Sequence, residues 1–274
     1  MKILIVGLGL IGGSAAKALR RAGYAVDGWD RPSVEEAAAE VDAISGISHD
    51  AAQYDVVMVA LPPDAAMQFI DETSFQADSI VTDFCGVKSC IEQKVGERCR
   101  NFRYVGCHPM AGREVSGFQN SQENLFDGAS MIFAENEKTD PCAVEILTKL
   151  YRQMGFTTFR HCTAKEHDSK IAYTSQLAHI VSNAYVKSPS ANGFSGFTGG
   201  SFQDMTRIAG VDEEIWTRLY MHNLEQIREE LERLIENLQA YQRALETEDE
   251  QALKELLREG RLRKAELDAE KKIL

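Results

Sequence analysis

The segment GCHPMAGREVSGF, residues 106–118, contains the side chain best suited to acid–base chemistry. His108 follows an apolar run, residues 103–107, that is typical of a buried strand. Ligands bind at the carboxyl ends of strands in open α/β sheets, and a neutral imidazole there can accept a proton near neutral pH. His108 is therefore the candidate catalytic residue. The histidines without such a setting, interpreted as surface or structural residues, are His49, His161 and His222.

A second imidazole falls on a predicted helix together with other polar side chains. Thr163 and Glu166 form a capping box, and the pattern after it stays helical to about Lys187. Four side chains recur along this helix at spacings of four, three and four residues, which places them on one stripe. They are Asp168, Ala172, Ser175 and His179. The stripe predicts a site-lining face; a solvated polar face is the alternative.

An arginine follows a long loop rich in glycine and serine, residues 188–202. Asp204 and Arg207 lie three residues apart, on one predicted helical turn. Surface ion pairs of this kind are common and contribute less than about 1 kcal/mol. An arginine beside such a loop also suits bidentate binding of a substrate carboxylate. Both interpretations stay open on spacing alone.

Gly7, Gly9 and Gly12 have the G-x-G-x-x-G spacing between a predicted strand and a predicted helix. Glycine there permits a tight turn, close approach of the backbone to a pyrophosphate, and close packing of helix on strand. Free backbone amides at the N-terminus of a helix attract phosphate, and here we expect those of Leu10 and Ile11 to bind the cofactor. The motif predicts a dinucleotide site, with a purely structural glycine turn as the alternative.

Asp30 lies 18 residues after Gly12, at the end of the second predicted strand. A carboxylate there can accept hydrogen bonds from both ribose hydroxyls of the cofactor and would repel a 2′-phosphate. The adjacent Arg31 could instead pair with that phosphate. We expect NAD as the cofactor, with NADP as the open alternative.

Short apolar runs alternate with helical patterns over the first 160 residues. The strand candidates are residues 3–6, 25–29, 56–61, 79–84, 103–107 and 130–134. Their nearly continuous apolarity predicts a parallel sheet covered on both faces, that is, a doubly wound Rossmann-type α/β domain over residues 1–161.

Residues 162–274 predict an all-α domain. Asp212 can cap one helix, and Thr247 with Glu250 forms a capping box for the last helix. Between them, apolar residues recur at alternating spacings of three and four, typical of a seam between helices. The seam consists of Leu224, Ile227, Leu231, Leu234, Leu238, Tyr241 and Leu245. Intramolecular packing and a dimer interface fit this spacing equally well.

Composition excludes several classes of partner. The formal net charge of −12 disfavours nucleic acid, and no apolar stretch approaches the roughly 20 residues of a membrane span. Six cysteines show no C-x-x-C pair, which predicts reduced thiols, a cytoplasmic location and no metal site.

Five stretches, in order along the chain, resemble the prephenate and arogenate dehydrogenases of tyrosine biosynthesis. They are GLGLIGGS (7–14), VTDFCGVK (81–88), GCHPMAGREVSGF (106–118), EHDSKIAYTSQLAH (166–179) and GGSFQDMTRIA (199–209). The resemblance implies a Rossmann domain joined to a helical domain that builds a homodimer. It also implies that His108 bonds the 4-hydroxyl of the substrate ring, and that His179 and Arg207 bind the substrate.

The same resemblance relates Glu114 and Asp204 to acids that pair with the arginine and gate the pocket in some members. One position departs from the family pattern: Gly86 in DFCGVK stands where the family commonly has serine. The orientation that a serine would give the histidine and the hydroxyl is then left to another group, such as water.

The expected reaction is oxidative decarboxylation of prephenate to 4-hydroxyphenylpyruvate with hydride transfer to NAD. Arogenate is the alternative substrate, since Asp168 near the pocket could bind an ammonium. Two further hypotheses are a β-hydroxyacid or imine-reducing enzyme, which leaves HPMAG unexplained, and a non-catalytic dinucleotide sensor, which Gly86 slightly favours.

Overall fold

The computed structural model describes residues 1–97, 100–113 and 115–271. By internal contacts the chain divides into two compact units, Met1–Leu224 and Glu225–Leu274. The predicted boundary between residues 161 and 162 is a division by function, and it stays a prediction.

The first unit contains an eight-stranded sheet in the order β3-β2-β1-β4-β5-β6-β7-β8. The strands are β1 Ile3–Val6, β2 Val26–Trp29, β3 Gly46–Ile47, β4 Val56–Val59, β5 Ile80–Asp83, β6 Arg103–Met110, β7 Ser130–Ala134 and β8 Thr158–Cys162. All six predicted strands are present, and the α/β Rossmann-type fold class is confirmed.

The sheet is buried on both faces, as continuous apolar strands require. In β1, Ile3 and Ile5 pack into the cluster on one face, whereas Leu4 and Val6 pack into the cluster on the other. Because side chains alternate along a strand, the run ILIV contributes to both layers at once.

The sheet is not wholly parallel, which corrects the prediction. β6 and β7 pair antiparallel, with His108 opposite Ile132. Among its described residues, 111–113 and 115–129, the connection between them holds only the short 3₁₀ turn Phe118–Asn120, and antiparallel neighbours need no helical crossover. The sequence pattern also missed β3, which has two residues, and β8, whose Arg160 and His161 are exposed.

Helices cover the sheet and build the rest of the first unit. They are α1 Leu10–Arg21, α2 Pro32–Glu40, α3 Pro63–Glu72, α4 Ser89–Gly96, α5 Pro141–Gln153, α6 Ala164–Ile171, α7 Ala178–Tyr185, α8 Gly200–Thr206 and α9 Glu213–Met221. A π-helical segment, Ala172–Leu177, joins α6 to α7 without a break, which confirms one helical stretch from residue 164 to the mid-180s.

The predicted helix caps have mixed outcomes. The capping box of Thr163 and Glu166 is confirmed, and the Asp212 carboxylate accepts the Ile215 N–H at 2.9 Å. The predicted box at Thr247 is wrong, because its hydroxyl donates at 2.8 Å to the Arg243 carbonyl in the preceding helix. Asp249 caps the last helix instead, by accepting the Ala252 N–H at 2.9 Å.

The predicted apolar seam lies on α10, Leu224–Glu246, which α11, Glu250–Lys271, follows. In the single chain, Leu238 and Leu245 of this seam are 58% and 62% exposed. In the described ranges, no helix has the length and apolarity needed to span a bilayer.

Candidate active site

His108 lies inside β6, two residues from its end, and is partly buried. The strand therefore extends beyond residue 107, where the sequence pattern ended it. The extension pairs with β7, and this fixes the backbone on both sides of the imidazole. Because the strand already restricts the backbone of His108, little conformational freedom remains to be lost when a substrate binds. This favours precise placement of the base against the substrate.

The imidazole of His108 is the outer member of a hydrogen-bonded chain. Its Nδ1 lies 2.8 Å from Nε2 of His167, and Nδ1 of His167 lies 2.8 Å from Oδ1 of Asp168. His167 and Asp168, both at the start of α6, are 2% and 1% exposed. Helical spacing does not point to His167, although this residue stands beside Asp168 in the motif EHDSK.

The chain of hydrogen bonds fixes the position of each proton. Burial alone would raise the pKa of Asp168, but hydrogen bonds from His167 and Ser89 lower it, so the side chain is a carboxylate and only accepts. His167 must then donate from Nδ1, which leaves its Nε2 as an acceptor. His108 donates from Nδ1 to that acceptor, and its own Nε2 carries a lone pair.

The surroundings of His108 keep it uncharged. Burial lowers its pKa well below the ordinary value of 6.5, and the nearby His167 and Lys88 lower it further. Burial also lowers the pKa of His167, against the pull of Asp168. A neutral imidazole with an unprotonated Nε2 is the state that a general base requires.

Asp168 is not available to a substrate. Its oxygens accept the backbone N–H groups of Lys88 and Ser89, each at 2.8 Å, in addition to the His167 ring. The carboxylate thus anchors the N-terminus of α4, where negative charge is stabilised. The expectation that Asp168 could bind a substrate ammonium is wrong.

The π-helical segment decides which of the neighbours His167 and Asp168 lies on the same helical face as His179. In a uniform α-helix, at about 100° per residue, residues 168 and 179 are nearly aligned and residue 167 lies about 120° from residue 179. A π-turn takes in one extra residue and so removes about 100° of that offset. Asn223 supports the segment, since its Nδ2 donates to the Asp168 carbonyl at 2.9 Å and to Gln176 Oε1 at 2.6 Å.

His179 also has its tautomer fixed, but by the backbone. Its Nδ1 lies 2.9 Å from the carbonyl oxygen of Ile208, which can only accept, so only Nε2 can reach a ligand. The ring packs against Trp216 of α9, with the ring centroids 3.9 Å apart.

Helix α9 carries residues that lie near both His179 and His108. Trp216 contacts His179, and one turn later Leu219 Cδ1 lies 3.5 Å from where a Cβ on Gly86 would be. That same position lies 3.8 Å from Nε2 of His108. Gly86 therefore leaves space next to the unprotonated nitrogen, at the position where the related family commonly has serine.

A buried ionic cluster lies in the strand and turn before Gly86 and at the start of α4. The Lys88 ammonium and the Asp83 carboxylate form an ion pair, and the Tyr104 hydroxyl donates to Asp83 Oδ2 at 2.6 Å. Burial would lower the pKa of Lys88, but the Asp83 charge raises it, so the cation persists. This fixed positive charge disfavours a second one on His108.

The C-terminal end of α8 positions Arg207. Ser182 of α7 donates to the Met205 carbonyl at 2.7 Å, and Asn183 donates to the Ala209 carbonyl at 3.1 Å. With the His179 contact to Ile208, three side chains of one helical stretch hold the backbone around Arg207. Arg207 itself is exposed.

The other predicted substrate residues have less defined surroundings. Ser175 is partly buried within the π-helical segment, and Asp204 is exposed on α8. Glu114 lies outside the described residues. The three histidines interpreted as surface or structural each lie within 2.7 Å of a carboxylate oxygen, on Glu35, Glu135 and Asp64 respectively.

The glycine turn has the shape that a pyrophosphate needs. Gly7 has φ +88°, and a Cβ at Gly12 would lie 1.7 Å from the Gly7 carbonyl oxygen, so neither position accepts a side chain. Gly9 precedes α1, and a Cβ there meets nothing within 4 Å, which leaves the face of the turn open to a ligand. Leu10 and Ile11 form the first turn of α1, which has no side-chain cap and no acidic residue.

Asp30 closes the other side of this turn. Its Oδ2 accepts the Leu8 N–H at 2.6 Å, and Arg31 beside it has an 84% exposed side chain. A glycine turn with an open helix N-terminus and a carboxylate at the second strand defines a dinucleotide-dependent dehydrogenase when a neutral base faces the same sheet edge.

Comparison with known proteins specifies the family. The model of the prephenate dehydrogenase nucleotide-binding domain matches residues 15–158, and that of the prephenate dehydrogenase dimerization domain matches residues 163–259. The chain therefore belongs to the prephenate dehydrogenase family, as its motifs indicated, and is an NAD(P)-dependent oxidoreductase.

Individual relatives and solved structures that resemble the chain are also prephenate or arogenate dehydrogenases. A prephenate dehydrogenase of Bacillus subtilis is 30% identical over 274 residues, which cover 92% of this chain and 72% of that protein. The structure of Aquifex aeolicus prephenate dehydrogenase in complex with hydroxyphenyl propionate and NAD+ superposes with a TM-score of 0.82 at 29% identity, covering 97% of this chain and 98% of that one. Synechocystis arogenate dehydrogenase superposes with a TM-score of 0.78 at 25% identity, covering 97% and 100%.

Proposed function

We propose that the chain oxidises prephenate to 4-hydroxyphenylpyruvate and CO₂, with NAD as the hydride acceptor. The observation that carries this proposal is the hydrogen-bonded series from Asp168 through His167 to Nδ1 of His108, which leaves Nε2 of His108 as the proton acceptor. The Aquifex aeolicus relative was crystallised with NAD+ and a hydroxyphenyl compound, a ligand pair of the same chemical type.

In the proposed reaction, Nε2 of His108 accepts the proton of the ring hydroxyl. NAD, when bound, supplies the hydride acceptor for the carbon that bears this hydroxyl. Loss of hydride and proton leaves a ketone whose two conjugated ring double bonds flank the carbon that bears the carboxylate. When CO₂ departs, the electron pair of the broken C–C bond moves through the ring to the ketone oxygen, which takes back a proton, and an aromatic phenol forms. The chain's own task is to orient the hydroxyl and hold its proton.

We assign the substrate carboxylate to Arg207. Arginine binds carboxylates bidentately, and the contacts from His179, Ser182 and Asn183 hold the backbone on both sides of it. His179 Nε2, Ser175, Asp204 and Glu114 complete the proposed substrate set. In the cofactor set, the amides of Leu10 and Ile11 face the pyrophosphate beside Gly7, Gly9 and Gly12, and Asp30 binds the ribose.

Arogenate is the second candidate substrate, because Synechocystis arogenate dehydrogenase matches almost the whole chain. The commitment of Asp168 to α4 and His167 argues against it, since that carboxylate is not available to an ammonium. We therefore favour prephenate.

One assay tests these proposals together. The purified protein is mixed with prephenate or arogenate and with NAD or NADP, and the reduced cofactor is followed by absorbance. We expect turnover with prephenate and NAD, and a kcat/KM at least about 10-fold lower with the other pairs. Absence of turnover with every pair, while NAD still binds, would support a dinucleotide sensor instead.

We also propose a cytoplasmic homodimer formed through residues 162–274. The dimerization-domain match and the exposed Leu238 and Leu245 of α10 support it. Light scattering should give twice the 30.5 kDa chain mass, and Leu238→Asp should shift the mass toward the monomer. A monomeric wild-type protein at micromolar concentration would contradict this proposal.

A further inference from the structure

The neighbourhood of Asp30 contains a second carboxylate, that of Glu35 on α2, which the sequence analysis did not consider. Glu35 is 3% exposed, although its side chain is a carboxylic acid. It lies on α2, about one helical turn after Arg31, which precedes that helix. Buried acids are rare unless they are hydrogen-bonded or functional. Its contacts indicate what it does.

Glu35 Oε1 accepts the backbone N–H of Asp30 at 2.9 Å and lies 2.6 Å from Nε2 of His49. The first contact joins the buried carboxylate to the backbone of the residue that we assign to the ribose. Covalent geometry then places Oε1 of Glu35 within about 7 Å of the carboxyl carbon of Asp30. Two carboxyl groups therefore lie close together at the residue that we assign to the ribose.

The exposed Arg31 supplies a single positive charge in the same place. Its Nε lies 3.8 Å from Asp30 Oδ1. With Asp30 and Arg31 alone, the local charge would sum to zero, and a 2′-phosphate could recruit the arginine. Glu35 makes the sum negative when His49 is neutral, and a buried charge is less screened by salt than an exposed one.

We propose that Glu35 is a specificity-determining residue that excludes the 2′-phosphate of NADP, in addition to Asp30. This inference rests on the proposed assignment of Asp30 to the cofactor ribose. Glu35 acts by charge and through Asp30, so it is a positioning and electrostatic residue that does not touch the cofactor.

The test measures binding of ADP-ribose and of 2′-phospho-ADP-ribose by calorimetry at about pH 8.5, where imidazoles are largely neutral. Glu35→Gln keeps an acceptor for the Asp30 N–H and removes the charge. We expect the ratio of the two dissociation constants to fall about 10-fold, with ADP-ribose affinity within about threefold of wild type. Glu36→Gln is the matched control, because Glu36 is the exposed neighbour on the same helix and its charge is screened.

An unchanged ratio in Glu35→Gln, or an equal change in Glu36→Gln, overturns the proposal. So does an equal loss of affinity for both ligands, which would show a purely structural role. If Glu35→Gln does not fold, Asp30→Asn provides the second test: it should retain about 10-fold rejection of the phosphorylated ligand, and complete loss of rejection overturns the proposal. Neither ligand requires turnover, so the result stands apart from the prephenate assay.

Discussion

The nucleotide turn is formed by residues adjacent in the sequence, whereas the imidazole chain joins residues 59 positions apart. In the turn the backbone itself forms the binding surface, and glycine is required because a Cβ has no space. At the imidazole end the side chains are ordinary and only their mutual contacts make one of them a base. A site built from backbone therefore depends on residues that are close in the sequence, whereas a site built from side chains depends on tertiary structure.

The largest effect should come from the turn. Gly12→Ala places a Cβ 1.7 Å from the Gly7 carbonyl oxygen, so the turn must open. Since a displacement of about 1 Å costs roughly 100-fold, we expect NAD-dependent kcat/KM to fall by on the order of 10³-fold. Steady-state kinetics with NAD as the varied substrate measures this.

Gly9→Ala is the matched control for the turn. Its Cβ meets nothing within 4 Å, so the melting temperature should stay within about 2 °C of wild type while NAD affinity falls only about 10-fold. Equal losses in the two variants would show that shape, as described here, does not decide cofactor binding.

At the imidazole end, His108→Asn removes the proposed base. Turnover should fall about 10²-fold or more, whereas NAD affinity, measured by fluorescence quenching, should not change. His161→Asn makes the same substitution at an exposed surface imidazole and should be neutral. Near-normal turnover of His108→Asn would remove this residue from the mechanism.

A smaller effect is expected at His167, the hydrogen-bonding partner of His108. His167→Phe removes the acceptor of the His108 Nδ1–H, so the base can rotate or change tautomer. We expect kcat to fall about 10-fold with the KM for prephenate within about threefold. His167→Gln retains an acceptor and should keep more activity; equal activity in both variants would argue against a role in orientation.

The smallest effect concerns Gly86. A Cβ there would be 3.5 Å from Leu219 Cδ1 and 3.8 Å from His108 Nε2, both ordinary contacts, so Gly86→Ser should fold normally. Its hydroxyl could orient the substrate hydroxyl toward Nε2, and kcat/KM should rise about threefold. A decrease would show that the substrate itself occupies this space.

The predictability of each region follows from the same comparison. The six strands, the Gly7–Gly12 turn and the Thr163 cap depend on neighbours in the sequence, and all were predicted. His108 was identified because its strand has a local signal. His167 was missed, since a helix of uniform period places Asp168 on the stripe with His179, whereas the π-helical segment, which the distant Asn223 supports, shifts His167 toward that face.

The antiparallel β7 and the Glu35 contact were missed for a related reason. The direction of β7 depends on a connection whose described residues form no α-helix, and the burial of Glu35 depends on His49 and the turn at Asp30. The spacing and the composition of the sequence predict neither the direction of β7 nor the burial of Glu35. The sequence signal for both residues is their type and position: His167 adjoins Asp168, and Glu35 lies five residues after Asp30, so each is a possible hydrogen-bonding partner of a site residue.

The central claim is that His108 is neutral, with its proton on Nδ1 and its lone pair on Nε2. Nitrogen-15 NMR of the histidine rings, with His108 assigned by comparison with His108→Asn, measures this directly. We expect a protonated Nδ1 and an unprotonated Nε2 at pH 7, with the ring still neutral below pH 6.5, because burial lowers its pKa. A protonated Nε2, or an imidazolium at pH 7, would rule out His108 as the base.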